Sequence, residues 1–75
     1  MQAYILIQTD VGKATSVTSA LRALTGVLSA EEVIGPYDLI AKVEAVSVEA
    51  LGAEIITQIQ QVPGITRTLT CSVVR

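Results

Sequence analysis

Apolar and polar positions change period four times along the chain, and the changes mark out its elements. "AYILIQT" (3–9) is a short run rich in β-forming residues, too short for an independent helix, and reads as a first strand. In "DVGKATSVTSALRALTG" the apolar residues Ala14, Val17, Leu21 and Leu24 fall three or four apart, the spacing of one helical stripe. Gly26 then closes that helix, since glycine takes a left-handed conformation without penalty. "VLSAEEVI" (27–34) is a second strand, interrupted by Glu31 and Glu32 in the manner of an edge. After Gly35-Pro36, expected to make a two-residue hairpin connection, "YDLIAKVEA" alternates with Leu39, Ala41, Val43 and Ala45 on one side and Asp38, Ile40, Lys42 and Glu44 on the other. "SVEALGAEIITQIQQV" returns to the helical code, with Val48, Leu51, Ile55, Ile59 and Val62 as its stripe, Ser47 as N-cap and Glu49 in the first turn. Gly52 inside that helix costs about 1 kcal/mol of propensity against alanine, and close packing on the sheet is the expected reason. "PG" (63–64) ends the helix, and "ITRTLTCSVV" (65–74) alternates again, read with Leu69, Cys71 and Val73 inward and Thr66, Thr68, Thr70 and Ser72 outward.

The order β-α-β-β-α-β predicts a single α+β domain over residues 1–75: a ferredoxin-like four-stranded antiparallel sheet with both helices on one face. The other face then carries Tyr4, Leu6, Val27, Val33 and Ile40 beside the threonine row, too apolar a set to leave in water on so small a domain. A second copy packed sheet to sheet about a twofold axis is the expected cover, with Tyr4, Leu6 and Ile40 at the dimer interface.

Composition narrows the function. Hydrophobic residues make up 51% and charged residues 16% of the 75, which excludes disorder and leaves material for a core plus a second buried surface. The net charge is −2 and the five cations are scattered singly, so neither nucleic acid nor an anionic membrane finds a basic patch. Histidine is absent and Cys71 stands alone, read as a small buried residue; with no Ser/His/Asp set, phosphate loop or carboxylate cluster, no catalytic residue, metal site or cofactor is expected. No leader or spanning segment is read at the N-terminus, which makes the cytoplasm the expected location. Glu31 and Glu32 are neighbours on a strand and point to opposite faces, which spoils them as a shared acid-base or metal pair.

Two stretches carry a family resemblance: the Gly-x-Tyr-Asp corner at Gly35, Tyr37 and Asp38, and the Pro-Gly-x-x-Arg-Thr-x-Thr run from Pro63 to Thr70. With "GKATSV" and "LTGV" in order between the strands, the whole chain resembles the effector-binding (RAM) domain of the Lrp/AsnC transcription regulators. The resemblance implies dimers paired through their sheets, assembly into closed rings such as octamers, and a small effector, commonly an amino acid, held between dimers. Members usually carry an N-terminal helix-turn-helix, whereas this chain opens on strand one; a stand-alone form without direct DNA binding is therefore expected, with a full-length Lrp/AsnC regulator as a further partner. Val11-Gly12-Lys13 replaces the family's Pro-Gly-Lys, a change in a turn rather than in the site.

Gly35, Tyr37, Asp38, Thr68 and Thr70 are the effector-binding candidates that follow. Asp38 can accept from a ligand ammonium while Gly35 lets a ligand approach the backbone; equally, Asp38 can cap loose donors of the turn while Tyr37 covers the core edge. Thr68 and Thr70 lie two apart and share a face, suited to a ligand carboxylate or to a plain β-surface; Thr66 has the same parity, and Arg67 fits a carboxylate clamp or an ion pair. Two other classes stay open beside the sensor: an oligomerisation module without ligand, and a dimeric α/β-barrel enzyme, which the missing histidine disfavours. A regulatory domain of the ACT type shares the strand order, but its ligand turn follows strand one, whereas the distinctive turn here follows strand two.

Overall fold

A computed structural model describes residues 1–74. Strands β1 (Gln2–Thr9), β2 (Val27–Glu32), β3 (Leu39–Glu44) and β4 (Ile65–Ser72) form one antiparallel sheet in the order β2-β3-β1-β4. Helix α1 (Ala14–Arg22) joins β1 to β2, and a second helix, α2, spans 48–60 between β3 and β4. This is the expected ferredoxin-like arrangement, with the expected caps: Ser47 Oγ accepts from the Ala50 N–H at 3.0 Å, and Gly26 adopts φ +93°.

Alternate residues of the two central strands meet the helices. Ala3, Ile5 and Ile7 of β1 and Leu39, Ala41 and Val43 of β3 are buried against Val17 and Leu21 of α1 and Leu51, Ile55 and Ile59 of α2. Two glycines allow the layers to close. A Cβ on Gly26 would sit 2.7 Å from Ile55 Cδ1, and one on Gly64 would sit 3.0 Å from Lys13 Cβ. Both have positive φ, so the loops they occupy need glycine for conformation as well as for space.

Four expectations change. The connection between β2 and β3 is six residues, 33–38, closed by Val33 N–H donating to the Asp38 carbonyl at 3.0 Å, so Gly-Pro lies within a longer loop. In α2 the first stripe residue, Val48, is 65% exposed, and Gly52 lies on the solvent side with nothing within 4 Å of an added Cβ. The helix widens into a π-turn over Leu51–Ile56, and the Thr57 hydroxyl donates to the Gly52 carbonyl at 2.9 Å; the rest of the expected stripe, Leu51, Ile55 and Ile59, is buried, and Val62 packs against the core. Val27 packs on the core, opposite Val43, and does not join the open face.

The fourth correction reverses β4. Thr70 is paired with Ile5 and Thr68 with Ile7, and directly opposed residues point to the same side of a sheet. Since Ile5 and Ile7 are buried under the helices, Thr68 and Thr70 face the helix layer, while Leu69 and Cys71, opposite Leu6 and Tyr4, face away from it. Leu69 is 47% exposed and Cys71 is an exposed free thiol rather than a buried one. Alternation on an edge strand names two sets of residues but not their directions, and when both faces of the sheet are apolar the usual rule of apolar side inward has no force.

Candidate functional site

The bare face of the sheet is now well defined. Tyr4, Leu6, Ile40, Leu69 and Cys71 occupy it, in the rows Ile40-Leu6-Leu69 and Lys42-Tyr4-Cys71, with Lys42 Nζ 5.9 Å from the centre of the Tyr4 ring. Tyr4, Leu6 and Ile40 thus stand together where a sheet-to-sheet partner would meet them, and Leu69, which the sequence reading had turned inward, belongs with them.

At one end of this face the 33–38 loop folds over the end of β1. The Asp38 N–H donates to the Ile7 carbonyl at 2.9 Å, and Asp38 Oδ2 accepts from the Thr9 N–H at 2.8 Å and the Thr9 hydroxyl at 3.2 Å. Gln8 Nε2 donates to the Pro36 carbonyl at 2.9 Å. These bonds tie the Gly-x-Tyr-Asp corner to β1, and among the described residues both donors to the carboxylate reach Oδ2, so Oδ1 retains its capacity to accept. Gln8 and Thr9 were not singled out from sequence. Their role comes from register, which puts the end of β1 beside a loop 29 residues further on.

Beside the corner lies a shallow depression of about 470 Å³, floored by Leu6 and Ile40 and walled by Val33, Ile34, Gly35, Pro36 and Tyr37. Its lining is apolar and holds no cation. Gly35 and Tyr37 are therefore brought together, with Asp38 adjoining them in the chain.

Thr68 and Thr70 are elsewhere, on the helix side of β4 and across β1 from the corner. Thr68 lines a different, more polar groove of about 260 Å³ with Gln60, Ile65, Thr66 and Arg67. Thr66 is the residue left without an opposite number, because Arg67 faces Gln8 and Ile65 faces Thr9. One chain thus carries two half-sites of complementary chemistry. The first has a carboxylate and an apolar floor; the second has hydroxyls and a guanidinium. A third cleft, of about 220 Å³, lies beyond the far end of the sheet between Gly26, Glu44, Glu54 and Ile55 and touches none of the candidate residues. Among the described residues no group of three metal-ligating side chains comes together, and no helix is long and apolar enough to cross a membrane.

Comparison with known proteins agrees with this fold. Residues 2–75 match the family described as "Lrp/AsnC ligand binding domain". The crystal structure of FFRP-DM1 is 37% identical, with a TM-score of 0.90 and 97% of each chain covered. AsnC of E. coli is 28% identical with a TM-score of 0.90; 99% of this chain is covered but only 50% of AsnC. The transcriptional regulator NMB0573 of Neisseria meningitidis, determined as a complex with L-Met, is 18% identical and shares the fold, with a TM-score of 0.85 over 99% of this chain and 49% of that one. No curated protein sequence matches the chain.

Proposed function

Because the chain belongs to the Lrp/AsnC ligand binding domain family, we propose that it is a regulatory domain that takes up an amino acid between its own copies and signals by changing its assembly. The observation that carries this reading is the separation of the two half-sites. A zwitterion needs an acceptor for its ammonium group and donors for its carboxylate; the Asp38 corner, at the β2–β3 loop, offers the first, and the Arg67-Thr68 groove, at the outer β4 edge, offers the second. In this reading a neighbouring chain brings the second half up to the first. In this arrangement Gly35 and Tyr37 shape the side-chain pocket, Thr68 and Thr70 meet the carboxylate end, and Tyr4, Leu6 and Ile40 pack against the partner sheet. The neighbour of the same fold that holds L-Met supports an amino acid as the chemical class.

Dimers paired through the bare face would assemble further into a closed ring such as an octamer, and a ligand that binds one assembly more tightly than another shifts the balance between them. A full-length Lrp/AsnC regulator in the cytoplasm is the partner such a domain would modulate. Asp38 also favours a second reading. Its two bonds to Thr9 suit a corner that is purely structural, in a module that assembles without ligand.

Titration calorimetry against the twenty amino acids, with Asp38→Ala, Arg67→Gln and an equimolar mixture of the two variants unfolded and refolded together, separates these readings. Each variant alone is expected to lose binding, and the mixture to recover part of it, because some interfaces then pair two intact halves. No recovery would place the site within one chain. Unchanged affinity in Asp38→Ala, with a lowered melting temperature, would leave that carboxylate to the corner alone.

A further inference from the structure

The two edges of the sheet are treated differently. At β2 the Ala30 carbonyl points away from β3, and Arg22 from the last turn of α1 reaches it with both Nε, at 3.0 Å, and Nη2, at 2.7 Å. The same guanidinium lies 3.5 Å from Glu31 Oε1, and the Thr15 hydroxyl donates to Glu32 Oε2 at 3.3 Å. A register shift between Val27 and Ser29 breaks the regularity of the strand as well. At β4, among the described residues, no side chain seals the edge, and its irregularity is confined to the unpaired Thr66 beside the shift between Gln8 and Thr9. Its register with β1 runs unbroken from Ser72 to Arg67, and among the described residues no side chain hydrogen-bonds to its backbone.

We propose that Arg22 is an edge guard: by occupying the outward carbonyl of Ala30 it closes β2 to strand addition by the bare β4 edge of another copy. The occupant it excludes is specific. An exposed strand edge is a template for pairing, and joining β2 of one molecule to β4 of the next is a head-to-tail contact. Where its rotation does not close on itself, such a contact repeats and propagates as a filament. Sealing one edge removes that route while leaving the apolar face free to pair. Arg22 is suited to the task because its planar fork places two N–H groups on a single carbonyl, while its charge, anchored by Glu31, makes it costly to strip of water beneath an incoming strand. The inference concerns the sheet edge and is independent of the ligand reading.

The test compares Arg22→Met, which keeps the length of the side chain but has no donor, with Arg22→Lys, which keeps the charge and some of the hydrogen bonding. Ile59→Val, a mild core variant, controls for lost stability. Thioflavin fluorescence and electron microscopy are followed at a temperature set equally far below each variant's melting point. Arg22→Met is expected to form filaments several-fold faster than Ile59→Val, with Arg22→Lys between Arg22→Met and the wild type. Growth of Arg22→Met no faster than that of Ile59→Val would overturn the proposal, as would equal rates for Arg22→Met and Arg22→Lys.

Discussion

The two faces of the sheet are both apolar, and they differ in what completes them. On the helix side Ile5, Ile7, Leu39, Ala41 and Val43 are fully enclosed by the chain's own α1 and α2. On the other side Tyr4 and Leu69 remain 42% and 47% exposed, although Leu6, Ile40 and Leu69 form a row as apolar as any in the core. The difference teaches where folding ends and assembly begins. One face is closed by the sequence itself, while the other waits for a surface supplied in trans. On the proposed reading, a ligand pocket built from an end of the bare face would need the same neighbour that covers that face.

Leu39 and Ile40 are adjacent in β3 and point to opposite faces, so they give the sharpest contrast. Leu39→Ala is expected to cost about 2–5 kcal/mol of folding stability, much of what a domain of this size possesses, as read by urea denaturation. Ile40→Lys is expected to leave the circular dichroism spectrum intact while dissociating the assembly, and the melting temperature should lose its dependence on protein concentration. If the two substitutions proved interchangeable in these assays, the distinction between the faces would fail. The smallest effect is expected where neither face is involved. Gly52→Ala, on the solvent side of α2 with open space around the added methyl, should stabilise the fold by up to about 1 kcal/mol without changing the association constant. Destabilisation would show that the π-turn around it depends on glycine.

Much of this was legible in the sequence because local pattern and global fold agree. The stripe Val17, Leu21 and Leu24, the alternation Leu39, Ala41, Val43, and the caps at Gly26 and Ser47 each carry a rule that acts over a few residues. What escaped depends on contacts distant in the chain. The direction of Thr68 and Thr70 follows from their pairing with Ile7 and Ile5, more than 60 residues earlier by sequence number. The clamp of Thr9 and Gln8 on the corner depends on the same kind of register. The exposed Val48 lies at the first position of α2 and the exposed Gly52 inside its π-turn, a widening of the helix without an obvious mark in the sequence. For the candidate site, the residues at Gly35, Tyr37 and Asp38 were visible as a motif; their division from the threonines was not, because a motif does not say which side of a sheet it serves.

The central claim is that copies of this chain complete one another, and sedimentation velocity over a wide dilution series tests it most directly. The wild-type protein is expected to sediment as a dimer or a larger closed particle down to low concentration, with amino acid shifting the distribution of sizes. A stable, fully folded single chain at every concentration, indifferent to every amino acid, would contradict it.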